Sequence, residues 1–243
     1  MFQSYEDYAR KKQEEEEEIQ AILSDEAGFR KIIFRILLVV IAVIILFNLP
    51  AKKPYKVYDG DFKDIPEPIQ EDTSGNITID VKGVPVTLTY WATYQITGRV
   101  LKTADYFDYD TENRLIPIDV ALGWSYMAND YARLDFYTTY NRGMGYITYD
   151  TAWYNSHGRE ENITKSWSNN HLIASNKEIR KLFDRIKTGD YIQIEGYLVE
   201  ARWQEGRYQY KFGTSTTRDD VGGYACETIY VTSLKWLKEK GKE

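Results

Sequence analysis

Cysteine and histidine are scarce in this 243-residue chain, with one of the first and two of the second. A single cysteine excludes an intramolecular disulfide framework and any cysteine-built zinc cluster. Two histidines leave little for a histidine-rich metal site. No phosphate-cradling glycine loop, dinucleotide fingerprint or HExxH pattern occurs, so neither a metal nor a cofactor is expected. A surplus of positive charge is also missing: 31 Lys and Arg stand against 37 Asp and Glu, a net charge of −6. That balance argues against a general nucleic-acid binder, which needs a basic surface to displace counterions. A second long apolar run is absent, which excludes a multi-pass membrane protein.

One such run is present. The mean hydropathy of −0.53 is that of a polar protein, yet residues 36–47 are uninterruptedly apolar. With Ile32, Ile33 and Phe34 before it and Leu49 after it, the run becomes an 18-residue window, 32–49, broken only by Arg35 and Asn48. A bilayer crossing takes about 20 mostly apolar residues, so one transmembrane helix is expected over 32–49. About 35 residues precede the core and no small-x-small site follows it, unlike a cleaved signal peptide. Arg30, Lys31 and Arg35 on one side are balanced by Lys52, Lys53 and Lys56 on the other. Arg35 lies tight against the run and can snorkel to its own side. The following part is Tyr- and Trp-rich with one Cys, like an exported domain. The N-terminus is therefore placed in the cytoplasm and the C-terminal part outside, in a single-pass cell-membrane protein.

Four segments follow from this. Residues 1–31 form an acidic cytoplasmic tail, with five consecutive acids from Glu14 to Glu18, read as a solvated, helix-prone spacer. Residues 32–49 are the span. Residues 50–75 read as a linker punctuated by Pro50, Pro54, Pro66 and Pro68. Residues 76–243 form the main domain, long enough to bury a core without disulfides.

That domain reads as mainly β with one helix. Residues 77–81, 86–89 and 90–101 carry alternating or β-branched and aromatic patterns, with Gly98 as a bulge or bend. Residues 116–120, 146–149, 191–199, 208–212 and 228–232 continue the series, and Gln204-Glu205-Gly206-Arg207 reads as a hairpin turn. Seventeen of the 21 tyrosines lie beyond residue 89, which first signals strands. Ser175-Asn176-Lys177-Glu178 is a capping box, followed by Ile179, Leu182, Phe183 and Ile186 at helical spacing. Several strands, one helix, a Gly-Asp turn and further strands are the element order of an OB-type barrel. A β-sandwich with one inserted helix is the rival. Residues 103–165 are expected to hold an elaborated insertion.

Three blocks stand out as candidate chemistry. They are residues 119–124 (Asp-Val-Ala-Leu-Gly-Trp), 166–171 (Ser-Trp-Ser-Asn-Asn-His) and 213–227, which ends Thr217-Arg218-Asp219-Asp220-Val221-Gly222-Gly223-Tyr224-Ala225-Cys226-Glu227. They resemble the blocks of a family of uncharacterised bacterial proteins with one N-terminal membrane span. In that family the first reads Asp-Leu-Ala-Leu-Gly-Trp-Gly and the second Ser-x-x-x-His-Leu-Ile-Pro-Ala. The third reads Ser-Ser-x-Thr-Arg-x-Asp-x-Gly-x-Gly-Ala-Cys-Glu. Here Ser125 and Tyr224 replace glycines, Ala174 replaces a proline, and Ser166 stands where a second histidine is expected. The resemblance implies a membrane-anchored domain and supplies no activity.

Two classes of function are compatible with these residues. The first is a membrane-anchored binding or assembly module, engaging an envelope protein partner or an oligomeric ligand. Arg218 and Asp220 would clamp a charged group, and Trp124, Tyr137 and Tyr146 would offer rings for stacking. The alternative is a small envelope hydrolase. Cys226 or Ser215 would attack, His171 would act as base, and Asp119 or Asp220 would orient it. Asp105, Asp108, Asp110 and Glu112 crowd one loop, but without the glycine and distal glutamate of a calcium loop.

Overall fold

The computed structural model describes residues 5–24, 26–47, 51–128, 135–138, 145–148, 165–217 and 226–239. The chain divides into two compact units, Met1–Pro50 and Ala51–Glu243.

The first unit is helical. Helix α1 spans Tyr5–Ser24 and α2 spans Glu26–Phe47. On α1, Arg10 pairs with Asp7 and Glu14, and Lys12 with Glu16, at helical spacing. Among the described residues no helix is long and apolar enough to cross a membrane. Helix α2 carries Arg30, Lys31 and Arg35 in its first half. The twelve apolar residues after Arg35 span only about 18 Å at 1.5 Å per residue, against about 30 Å of hydrocarbon.

The second unit is mainly β. Its strands are β1 Tyr55–Tyr58, β2 Ile69–Val81, β3 Val84–Asp105, β4 Ile118–Gly123, β5 Asp135–Thr138, β6 Gly145–Thr148, β7 Trp167–Ala174, β8 Tyr191–Glu205, β9 Tyr208–Phe212 and β10 Glu227–Glu239. Short helices α3, Thr111–Leu115, and α4, Lys177–Phe183, complete it. Eight strands share one sheet, and β5 pairs with β6 in a separate two-stranded one. The expected insertion is therefore narrower than 103–165. Strand β3 runs on to Asp105 and β4 belongs to the main sheet, so the elaboration lies between β4 and β7.

Five strands pair in a closed cycle. Strand β3 pairs with β4, β4 with β7, β10 with β8 and β8 with β3, all antiparallel. Within the cycle only β7 and β10 run parallel. Helix α4 sits in sequence between β7 and β8, the third and fourth strands of the cycle. Outside it, β1 adds to β10, β2 to β3 and β9 to β8.

The core follows from strand alternation. Ile118, Val120 and Leu122 of β4 point inward with Leu172 of β7, Ile192 and Ile194 of β8, and Ile229 and Val231 of β10. Ile179, Leu182 and Phe183 of α4 join this cluster. The cap of α4 is Asn176 rather than Ser175: its side chain accepts from the Ile179 backbone N–H at 2.9 Å. The helix ends at Phe183, earlier than the Gly189 turn. A second cluster, with Leu88, Leu115, Ile116, Ile173, Ala201 and Trp203, lies on the other side of the strands.

The cycle turns tightly where side chains are missing. A Cβ on Gly196 of β8 would lie 2.1 Å from the Tyr230 carbonyl oxygen of β10. At Gly98, where a bend was expected, the carbonyl oxygen of Gly123 comes within 2.7 Å of the same position.

The expected linker over 50–75 is instead docked from residue 51 onward. Strand β1 pairs in parallel with β10, Ile65 is buried, and β2 begins at Ile69. Asp190 fastens the segment. Its carboxylate accepts from Lys53 Nζ at 2.9 and 3.0 Å, from Trp236 Nε1 at 2.8 Å and from the Lys187 backbone N–H at 2.9 Å. The prolines mark an irregular path, and side-chain contacts distant in sequence hold it down.

Candidate functional site

Two places on this framework can do chemistry. The first lies on the outward side of β4, β7 and β10, opposite the inward row of Ile118, Val120 and Leu172. Asp119 of β4 and His171 of β7 are register partners. His171 Nδ1 and Asp119 Oδ1 are 2.7 Å apart, both sealed from solvent. The other carboxylate oxygen accepts from Tyr106 Oη at 2.7 Å. The Phe212 ring meets the imidazole edge-on, centroids 4.9 Å apart. Cys226, the residue just before β10, lies near enough to His171 to act on its protonation, and Asn169 Nδ2 donates to Cys226 Sγ at 3.7 Å.

Burial alone would push the imidazole below its ordinary 6.5. The Asp119 charge and hydrogen bond, with the hydrogen bond and charge of Cys226, outweigh it and raise His171 to about 9. Cys226 is half-buried. The three sequence blocks singled out above thus contribute one residue each: Asp119 from β4, His171 from β7 and Cys226 from the residue preceding β10.

Ser215 is not part of this line. Its hydroxyl is taken up by Thr217, and its backbone N–H donates to the Cys226 carbonyl at 2.9 Å. Arg218 and Asp220 lie outside the described residues. Trp124 is a core residue, 5% exposed, packed with Val100 and Leu122, so its ring is spent on packing. Tyr137 and Tyr146 are register partners across β5 and β6. The acidic loop is committed internally: Asp108 pairs with Lys82 and Arg114, and Asp110 caps α3. Those two cations hold the Asp108 carboxyl below the usual carboxylate range. Among the described residues no group of His, Cys, Asp and Glu could hold a metal ion.

The second place is a groove of about 500 Å³ across β3, β8 and β9, lined by Thr87, Arg202, Trp203, Gln204, Tyr210 and Lys211, among others. The Trp203 and Tyr210 rings stack, centroids 5.4 Å apart and planes 8° apart. Glu200 accepts from Arg202 Nε and Lys211 Nζ, each at 2.7 Å. Burial pushes Glu200 up, but Lys211 and Arg202 outweigh it and hold it below its ordinary value. Register pairs Arg202 with Lys211 and Gln204 with Gln209 on one face of the β8–β9 ribbon, and Trp203 with Tyr210 on the other, so the amide and charged side chains and the ring pair flank the ribbon from opposite faces.

Sequence reasoning missed Tyr106, Asn169 and the groove. Tyr106 lies among the acidic residues 105–112, where the carboxylates and not the phenol drew the reading. The alternation of residues 208–212 places Tyr208, Tyr210 and Phe212 on one face, but nothing local tells which face is open. No family model, curated protein or solved structure matches the chain.

Proposed function

We propose that the chain is a membrane-attached binding module whose OB-type barrel takes an oligomeric ligand, an oligosaccharide strand, across its β3–β8–β9 face. The closed cycle of five strands, with its one parallel pair and the helix between its third and fourth members, supports the barrel reading over the sandwich. OB barrels take oligomeric ligands over one sheet face and the loop joining their last two strands. In this chain β9 and its hairpin with β8 occupy that connection.

The observation that carries the proposal is the groove. The half-exposed Tyr210 ring, backed by Trp203, offers a flat apolar surface to a sugar on one face of the β8–β9 ribbon, and Gln204, Gln209 and Thr87 offer neutral hydrogen-bonding groups along the other. Glu200 offsets one of the two positive charges beside it, leaving the cluster a single net positive charge. A protein partner in the envelope is the competing occupant. Titration with soluble N-acetylglucosamine oligomers, read by intrinsic fluorescence, tests the choice. Saturable binding that tightens with oligomer length supports it. Length-independent or absent binding, with a protein captured by cross-linking at Tyr210, overturns it.

Attachment is assigned to residues 32–49. Ile33, Phe34, Leu37, Val39, Ile44 and Ile45 are each between 49% and 63% exposed, a density of bare apolar side chains that calls for an apolar phase. With Ile32, Ile33 and Phe34 added and Arg35 snorkelling, the apolar stretch extends beyond the twelve residues after Arg35, and on that footing the reading places the N-terminus in the cytoplasm and the barrel outside. Retention in the pellet after alkaline carbonate supports attachment, and release into the supernatant refutes it. Protease cleavage of the barrel only from the cytoplasmic side would reverse the orientation.

A further inference from the structure

We propose that Cys226, His171 and Asp119, with the Asn169 carboxamide, form an acyl-transfer site separate from the groove, acting on acyl compounds that carry an N–H beside the reacting carbonyl. The inference rests on an ordered line of contacts. Tyr106 Oη donates to Asp119 Oδ2, and Asp119 Oδ1 holds His171 Nδ1. That leaves Nε2 as the ring nitrogen open to Cys226, which the parallel register of β7 and β10 sets beside this strand. A nucleophile, a base and a group that orients the base are the three parts such chemistry needs. Cys226 is the member of the line that solvent reaches in part, while His171 and Asp119 are buried beneath it.

A second observation points to a ligand. Asn169 is 7% exposed, its Nδ2 lies at the sulfur, and its buried Oδ1 has no hydrogen-bond partner among the described residues. A buried carboxamide oxygen left without a donor is costly, and a substrate N–H would satisfy it. Nδ2 is at the same time within reach of the oxyanion that forms as the sulfur attacks. The carboxamide therefore favours an acyl group flanked by an N–H over a bare ester.

The step balances without an outside oxidant or reductant. Cys226 Sγ attacks the carbonyl carbon and a C–S bond forms. The bond from that carbon to the leaving oxygen or nitrogen breaks, and the leaving group takes the proton held on His171 Nε2. Water then attacks the thioester and gives its proton to His171. The C–S bond breaks, a carboxylic acid leaves, and the starting pair is restored. Asp119 and Tyr106 are positioning residues, fixing the tautomer and the ring direction.

Cys226 is the only cysteine, so every thioester on the full chain reports on it. The chain is treated with p-nitrophenyl acetate and with the p-nitrophenyl ester of N-acetylglycine, following p-nitrophenolate release and the mass of the adduct. A burst, a thioester on Cys226 and a preference for the N-acetylglycine ester are expected. His171→Gln should slow acylation by about 10²–10⁴-fold, Cys226→Ser should abolish the thioester, and Asn169→Leu should erase the ester preference. Asp119→Asn should flatten the pH profile of acylation.

Because His171→Gln can fail to fold, the wild-type chain is also compared with itself in urea, using iodoacetamide as well as the ester. Faster modification of the folded chain supports the site. Equal or slower modification when folded, an unchanged rate in folded His171→Gln, or adducts confined to lysine overturns it. Equal acylation by the two esters overturns the Asn169 part.

Discussion

Asp119 Oδ1 and His171 Nδ1 lie 2.7 Å apart on adjacent strands, 52 residues distant in sequence and sealed from solvent. A buried carboxylate is costly unless it is paired and hydrogen-bonded. Here the imidazole takes one oxygen and Tyr106 the other. The pair therefore ties the stability of the sheet to the protonation of His171.

The pH dependence follows directly. His171 is raised from an ordinary 6.5 to about 9 by Asp119 and Cys226 against the opposing effect of burial. A group raised on folding contributes stability that is fully present below its unfolded value and lost as pH rises through its folded value. The thermal midpoint of the wild-type chain should fall between about pH 6.5 and pH 9. In Asp119→Asn the fall should be much shallower and the midpoint at pH 6 lower. Equal slopes for the two proteins across this window would contradict the pairing.

Much of the framework was legible because its signals are local. Alternation marked the strands, spacing marked α4, and the glycine-containing turn before β9 marked the hairpin. The order of elements carried the mainly β character and the helix that stands between two strands of the sheet. The 51–75 segment was misread for a physical reason: its prolines report an irregular backbone, whereas its docking depends on Asp190 and Trp236, far away in sequence. Cys226, His171 and Asp119 were nameable as residue types, but their meeting depends on register across β4, β7 and β10. Trp124 shows the converse, since aromatic character alone does not tell a ligand platform from a core.

Gly196 should be intolerant of even the smallest side chain. Its β8 backbone approaches β10 so closely that a Cβ would sit 2.1 Å from the Tyr230 carbonyl oxygen. Neither partner is a flexible side-chain end, so backbone must shift. Gly196→Ala should destabilise by about 1–3 kcal/mol or more, the range of overpacked cores. Urea unfolding would show a lower midpoint. Gly213→Ala is a suitable control, because nothing lies within 4 Å of a Cβ there.

Asp190 should govern the docking of the segment that follows the helical unit. It gathers Lys53, the Lys187 backbone and the Trp236 indole at 2.8–3.0 Å, and Lys53 also lies 4.7 Å from the Trp236 ring centre. Asp190→Ala leaves two part-buried donors, Lys53 Nζ and Trp236 Nε1, and the exposed Lys187 N–H without their acceptor, a loss of roughly 1–3 kcal/mol. Limited proteolysis near Lys52 and Lys53 should accelerate in this variant. Lys53→Met, which keeps the stem and drops the charge, should have a smaller effect because the two backbone and indole donors remain served. An unchanged cleavage rate in Asp190→Ala would show that β1 pairing with β10 holds the segment without the carboxylate.

Trp203 and Tyr210 separate stability from ligand binding within one stacked pair. Trp203 is 6% exposed and belongs to the second core cluster, whereas Tyr210 is 41% exposed at the groove surface. Trp203→Ala should cost about 3–5 kcal/mol of stability, as large-to-small core changes do, and should weaken binding only through that loss. Tyr210→Ala should leave the thermal midpoint within about 1–2 °C, as a surface change of under half a kcal/mol would. If the groove takes sugar rings, it should nevertheless weaken binding of N-acetylglucosamine oligomers by at least tenfold, with Tyr210→Phe retaining most of the affinity because stacking needs the ring and not the hydroxyl. Calorimetric titration beside thermal melts of the same preparations distinguishes the two outcomes. Full affinity in a well-folded Tyr210→Ala protein would remove the platform from the ligand's path.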